Sequence, residues 1–319
     1  MSVIGLDLGG TKLAGAVFDS AGTLLAKDVV PLERKGGAEV GALIIDCLHR
    51  LLEAGGKAEA IGVSVPGISH TATGRVWAPN IPGWDDYPLR DELRTALGHD
   101  AMPLAIEADR SCCIMGEVWR GNARDCRNAI FLAVGTGIGA GILVDGRILH
   151  GAHDVSGAIG WLALDRPYDE KYGACGCFEY YASGEGIARH ARDLLARRKK
   201  YRGALRALAP DAVTAHEVFR LYDAGDEIAL EVLTRAIELW GMATANLVSL
   251  FNPEKIIFGG GVFGPAARFL ADIGREARRW AQPISINQVE LAATSLGSAA
   301  GLYGAGYFAR QAVAHSPAQ

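Results

Sequence analysis

Asp7, Gly9, Gly10, Thr11 and Lys12 stand together in IGLDLGGTKLAGAVFD, residues 4–19, between two apolar runs. A carboxylate, a hydroxyl and an ammonium beside paired glycines are groups that can hold a charged ligand. Glycine lets another group approach the main chain closely and permits positive φ, and successive N–H groups in such a turn form a concavity suited to phosphate oxygens. The pattern recurs 126 positions later in IFLAVGTGIGAGILVD, residues 130–145. Gly9 falls on Gly135, Gly15 on Gly141 and Asp19 on Asp145, with Thr136 and Gly137 completing the second turn. Any hairpin favours glycine, but two copies with a hydroxyl in each favour a pair of phosphate-holding turns that would grip a triphosphate from both sides. Asp7 falls on Ala133 in the second copy. A carboxylate in one copy only suits the holding of hydrated Mg2+ beside the phosphates; an Asp favoured by the turn itself is the plainer alternative.

The elements that must position these turns follow from the pattern around them. Each copy reads as a strand, a glycine turn and a returning strand. Helical stretches follow at 40–54 and 227–251, and the further strands AIGVSVPG and EKIIFGGGVFG come after them. Strands alternating with helices argue an α/β protein, and the duplication argues two lobes facing one another across a cleft. No low-complexity linker separates the halves. The pattern places an N-terminal lobe at 1–117, ending with the helix that contains SCCIMGEVW, and a C-terminal lobe at 118–294. A last helix over 295–311 is expected to pack back on the first lobe, leaving a frayed tail at 312–319. GTGIGA formally matches a dinucleotide fingerprint, which needs a helix directly after it; GILVDGRIL continues here instead as strand and turn. GGTK lacks the spacing of a Walker loop.

Of the 319 residues half are apolar, and the formal net charge of −4 is spread along the chain apart from the basic run Arg197, Arg198, Lys199, Lys200 and Arg202. That run reads as the solvated end of a helix, with an anionic partner as the alternative. Nucleic acid is an unfavoured partner on electrostatic grounds. The N-terminus carries no secretory pattern. The uncharged, mostly apolar run 129–144 is shorter than a bilayer span and contains four glycines, and no membrane association is expected. A cytoplasmic protein is indicated, in which six cysteines stay reduced and serve packing, metal binding or chemistry.

DLGGTK, AVGTGIGAG and IIFGGGVF occur in that order, with VSVPG, APNIPGW and GCFEYYASG between them. With these motifs the chain resembles the ROK family of sugar kinases and repressors, over nearly its whole length. The resemblance implies a two-lobed actin-like (ribonuclease H-like) ATPase fold with a duplicated βββαβα core. It implies that Asp7, Gly9, Gly10, Thr11 and Lys12 form a first phosphate element for ATP, that Thr136 and Gly137 form a second, and that Gly259, Gly260 and Gly261 lie beside the adenosine. Repressors of the family carry a DNA-binding segment before the first turn; here that turn begins at residue 4, which favours the kinases.

Phosphoryl transfer to an alcohol requires positioning, charge neutralisation and a carboxylate to take the hydroxyl proton. AIEADRSCCIMGE resembles the family segment in which an Asn-Asp pair meets the sugar, which makes Asp109 the expected catalytic base and leaves Ala108 in place of Asn. An Asp before an apolar helical run is also a good N-cap. Kinases of the family usually carry a Glu and a zinc-binding His where this chain has Ala158 and Trp161, and a third cysteine beside the two retained here, Cys175 and Cys177. A structural zinc normally takes four protein ligands, so zinc is expected to be absent. Glu179, Gly67 and Asn80 match other positions of the family's sugar pocket. Trp161 offers a flat face for a ring or apolar substituent; a core tryptophan filling the space left by zinc is the alternative. Arg110, His153, Asp154 and Ser156 are candidate replacement contacts. Because a hydrogen bond to a charged group contributes about 1.5–3 kcal/mol, losing several such contacts argues against an unmodified glucose-type pocket. The expected activity is ATP- and Mg2+-dependent phosphorylation of a hydroxyl, of primary type, on a hexose, amino sugar or related polyol. A nucleotide-binding sugar sensor without turnover is the rival reading. The resemblance also implies a homodimer.

Overall fold

The computed structural model describes residues 2–55, 57–98 and 102–315. In chain order, the first strands are β1 (Ser2–Leu8), β2 (Lys12–Asp19) and β3 (Leu24–Pro31), followed by α1 (Gly37–Gly55), β4 (Ile61–Val65), β5 (Ile68–Ser69) and β6 (Val76–Trp77). Helix α2 (Leu89–Leu97), β7 (Leu104–Ala108) and α3 (Asp109–Arg120) come next. The second set is β8 (Ala129–Val134), β9 (Ile138–Val144), β10 (Arg147–Ile148), α4 (Cys177–Ala182), α5 (Gly184–Arg197), α6 (Ala215–Asp223) and α7 (Glu227–Phe251). It closes with β11 (Lys255–Gly259), α8 (Leu270–Trp280), α9 (Pro283–Ile286) and β12 (Glu290–Ala293), before α10 (Ala300–His315).

The chain divides into two units, the first made of 1–125, 148–156 and 298–319, the second of 126–147 and 157–297. The division thus falls after Asp125, beyond the boundary read near Glu117, because α3 runs on to Arg120. Helix α10 starts at Ala300 and takes in 312–315, which the sequence reading had placed in a tail; residues 316–319 of that tail lie outside the described residues.

The two units carry sheets of one topology: β3-β2-β1-β4-β7 in the first and β10-β9-β8-β11-β12 in the second. In each, an antiparallel hairpin continues into parallel strands, β1 beside β4 and β8 beside β11. The parallel strands need helical crossovers. In the first unit α1 lays Val40, Ile44, Leu48 and Leu51, spaced three and four residues apart, into the core formed with Ile4, Leu6 and Leu13. In the second, α7 is begun by Asp226, whose Oδ1 accepts from the N–H groups of Ile228 and Ala229 at 3.0 and 3.2 Å, and is ended by Asn252 in the left-handed conformation. Its fully buried Trp240 donates Nε1–H to the Ala182 carbonyl at 3.1 Å, so the indole brings apolar area into the core without an unpaired donor.

Helix α10 packs on α3, β1 and β4 through missing side chains. A Cβ at Gly304 would lie 1.8 Å from the Cys112 carbonyl oxygen, and one at Gly62 1.9 Å from that of Ala305. Gly5 meets Gly306 N at 2.8 Å in the same way. Backbone contact at these points holds the 304–306 stretch of α10 against the middle of β1, the start of β4 and α3.

Candidate active site

In open α/β sheets ligands gather outside the carboxyl ends of the parallel strands. In the first unit Asp7 stands near the end of β1, Gly67 after β4, and Asp109 after β7. The register sets Asp7 opposite Ser64, and Ser64 opposite Glu107. In the second unit the same row holds Ala133 and Gly259. The one-sided carboxylate seen in the repeat is therefore a difference between equivalent sheet positions.

Asp7 Oδ1 accepts from Ser64 Oγ at 2.6 Å, and a Cβ at Gly301, in the first turn of α10, would come within 2.7 Å of that same oxygen. Burial pushes the Asp7 carboxyl up to about 6; the Ser64 hydrogen bond pulls against that, Asp109 adds to it and Lys12 opposes it. Lys12 is exposed at the start of β2. The turn before it is closed by Gly9 N–H donating to the Lys12 carbonyl at 2.9 Å, and Thr11 is tied through its carbonyl to Leu32 N–H at 2.9 Å. Neither Gly9 nor Gly10 has a positive φ, so what glycine contributes here is a bare main chain. A Cβ at Gly10 would sit 3.9 Å from that of Asn80, which is exposed. Gly67, by contrast, does need glycine: its φ is +93° and an added Cβ would lie 2.2 Å from the Trp77 carbonyl oxygen.

Asp109 is the first residue of α3, and the capping position belongs to Ala108, which provides no side-chain cap. The N-cap alternative thus fails. Asp109 Oδ1 accepts from Arg110 N–H at 2.7 Å. Burial raises its pKa, while the charge of Arg110 and that hydrogen bond hold it back.

In the second unit a cleft of about 610 Å3 is lined by Gly135, Thr136, Gly261 and residues of α5 and α6. An added Cβ at Gly135 would meet nothing within 4 Å, so the bare backbone faces open space. Gly135 N–H donates to the Gly137 carbonyl at 2.9 Å, and Gly184 N–H donates to the Gly135 carbonyl at 2.8 Å. The first turn of α5, capped by Ser183 Oγ on Gly186 N–H at 2.9 Å, is thereby pinned to the glycine turn. Of the three glycines expected beside the adenosine, only Gly261 lines the cleft. Gly259 instead admits the Phe131 ring, 2.2 Å from where its Cβ would be, and Gly260 the Val134 backbone at 2.4 Å with a φ of +86°. Sequence reading missed Gly184, Arg192, Thr214, His216 and Phe219, all on the cleft wall; the Ser-Gly-Glu-Gly start of α5 was the available signal.

Glu179 braces the second turn. Its Oε2 accepts from Ile138 N–H at 2.7 Å and a Cβ at Gly137 would lie 2.8 Å from it, while burial raises its pKa. Trp161 is 58 % exposed, which removes the reading as a core tryptophan. Cys177 is buried at the start of α4, and Cys175 lies 3.7 Å from Arg189 Nη1. Among the described residues no group of three or more His, Cys, Asp or Glu is arranged to hold a metal. Mg2+ bound to a triphosphate keeps several waters and needs only one or two carboxylates; Asp7, half-buried and accepting a short hydroxyl bond from Ser64, fits that lesser demand. Among the described residues no helix is long and apolar enough to cross a membrane.

The sequence profile of the ROK family matches residues 3–312. A glucokinase of Halalkalibacterium halodurans is 33% identical over 316 residues, covering 97% of this chain and 94% of its own. An N-acetyl-D-glucosamine kinase of Pectobacterium atrosepticum is 30% identical over 271 residues, covering 81% and 83%. Among solved structures, the ROK hexokinase of Thermus thermophilus superposes with a TM-score of 0.80 at 33% identity, over 99% of this chain and 100% of that one. A ROK glucokinase of Streptomyces griseus, in complex with glucose and AMPPNP, gives 0.78 at 28% identity, over 98% and 100%. The duplicated sheets and the fold they share with these structures are those of an actin-like ATPase with sugar kinase activity dependent on ATP. The chain belongs to the ROK family.

Proposed function

We propose that the acceptor is a hexose, amino sugar or related polyol, phosphorylated on its primary hydroxyl, with Asp109 as general base. The observation that carries this reading is a half-buried carboxylate, with its pKa raised, at the carboxyl end of β7, in the same unit as the Asp7 and Gly9–Lys12 turn. Gly9, Gly10, Thr11 and Lys12 hold and neutralise phosphate oxygens; Thr136 and Gly137 do the same from the second unit, whose cleft takes the adenosine along Gly261. Asp7 would hold Mg2+, through water, and the ion when bound would neutralise phosphate charge. Asp109 takes the proton from the attacking hydroxyl as the oxygen–phosphorus bond forms and ADP leaves. Gly67, Asn80 and Glu179 meet the sugar, and the exposed Trp161 stacks on its apolar face or on a substituent. Ala108 and Ala158 supply no polar contact, which widens the pocket relative to one built around Asn and Glu.

Free thiols at Cys47, Cys112, Cys113, Cys175 and Cys177 support a reducing, cytoplasmic setting for this reading, and family resemblance supports a homodimer. The test is ADP release from MgATP across hexoses, N-acetylhexosamines, amino sugars, ketoses and cyclitols, alongside Asp109→Ala. A strong signal with one acceptor that vanishes in the variant is expected. Silence across the panel from protein that binds ATP would overturn the acceptor class.

A further inference from the structure

Arg110 follows the base directly and is half-buried in the first turn of α3. Its guanidinium donates to three backbone carbonyls: Nη1 to Gly67 at 2.9 Å, Nε to Ser156 at 3.1 Å and Nη2 to Asp154 at 3.2 Å. All three acceptors are neutral. The nearby charge opposite to its own is that of Asp109, and burial otherwise lowers the Arg110 pKa. Two separate pieces of chain meet at this one side chain, the turn after β4 and the 148–156 segment of the first unit. The same segment is held elsewhere by His150 Nε2 against Glu107 Oε2 at 3.0 Å, and by Asp154, whose carboxylate accepts from Thr71 Oγ1 at 3.1 Å and Thr71 N–H at 3.2 Å. Those contacts would fasten the segment without Arg110. What Arg110 adds is a link from the segment and from the Gly67 carbonyl to the helix turn that begins with Asp109.

We propose that Arg110 is a positioning residue for the transfer, fixing the Gly67 turn and the 148–156 segment to the helix turn that carries the base. The proposal rests on the reading of Asp109 as base and Gly67 as part of the acceptor wall. A planar fork with five donors can span three carbonyls in fixed directions, which the single nitrogen of lysine cannot. Misplacement of the acceptor relative to the base weakens both its binding and its reaction, whereas a residue that merely fastens the fold would alter stability alone.

The test uses the full chain and whichever hexose it phosphorylates in the panel above, with initial rates measured against acceptor at saturating MgATP and against ATP at saturating acceptor. Arg110→Met is expected to raise the acceptor KM and lower kcat by about tenfold or more each, the loss appropriate to hydrogen bonds from a charged group, with the ATP KM little changed. Arg110→Lys keeps the charge and loses the fork, so it should recover only part of the deficit. Millimolar guanidinium chloride should restore activity to Arg110→Ala, and methylammonium chloride should not. Wild-type kinetics in Arg110→Lys, or a fall in melting temperature with acceptor KM and kcat unchanged in Arg110→Met, would overturn the proposal. If Arg110→Met does not fold, the lysine variant and the guanidinium rescue decide. Full turnover in Asp109→Asn would instead overturn the reading of the base on which the proposal stands.

Discussion

Removing the charge of Asp7 should stabilise the nucleotide-free protein while abolishing turnover. Burial lifts this carboxyl from 3.8 to about 6. Between those two values the folded protein keeps a proton that the unfolded chain has lost, so stability falls as pH rises through that window and stays lower above it. At about 1.4 kcal/mol per unit of pKa, the ionised carboxylate costs the fold roughly 2–3 kcal/mol at pH 8. Asp7→Asn retains an amide oxygen to accept from Ser64 Oγ and removes that cost. The gain should be near its full size at pH 8 and roughly half of it at pH 5. Urea unfolding in EDTA without nucleotide, run on both proteins at the two pH values, measures it. A variant less stable than the parent at pH 8, or a difference that does not change with pH, would refute the reasoning. The same substitution should leave the chain without kinase activity if Asp7 holds the ion, a loss of function accompanying a gain in stability.

The remaining predictions concern packing, the second turn and the base. Gly304→Ala would place a Cβ 1.8 Å from the Cys112 carbonyl oxygen, so α10 must shift and the chain should lose about 1–3 kcal/mol in urea unfolding despite the better helix propensity of alanine. Glu179→Gln still offers an oxygen to Ile138 N–H and should raise only the acceptor KM, about tenfold for a charged hydrogen bond replaced by a neutral one; Glu179→Ala should raise the ATP KM as well, because the second turn loses its brace. Asp109 must be ionised to accept a proton and burial raises its pKa, so kcat/KM should fall on acidification through a value above the ordinary 3.8 and be retained on the alkaline side. A profile flat down to pH 4 would contradict that assignment.

The duplicated hairpins were legible in the sequence because the apolar runs and glycine turns repeat at one offset, and the two sheets share one strand order. Helix α7 was legible because its apolar face runs unbroken from 227 to 251. The start of α10 was not, since a short 3-10 turn at 297–299 precedes it and the closest contacts of its first turns run through Gly301, Gly304 and Gly306, which carry no hydrophobic signal. Asp109 looked like a cap because cap and first-turn positions share a preference for aspartate; only the backbone distinguishes them. The function of Gly259 and Gly260 was hidden for a related reason: a glycine that admits a ring or a neighbouring strand is spelled like one that admits a phosphate. The walls from Gly184 to Phe219 come from helices far along the chain, and no local pattern announces a cleft assembled by tertiary packing.

Asp109 is proposed to let this chain move the γ-phosphoryl group of ATP onto a sugar hydroxyl. Incubating the chain with MgATP and glucose or N-acetylglucosamine, and examining the products by mass spectrometry and phosphorus–proton correlation NMR, tests it most directly. One sugar monophosphate is expected for each ADP, with the phosphorus coupled to the methylene protons of a primary position, and no such product from Asp109→Ala. ADP accompanied only by inorganic phosphate, or a sugar phosphate formed equally well by the variant, would contradict it.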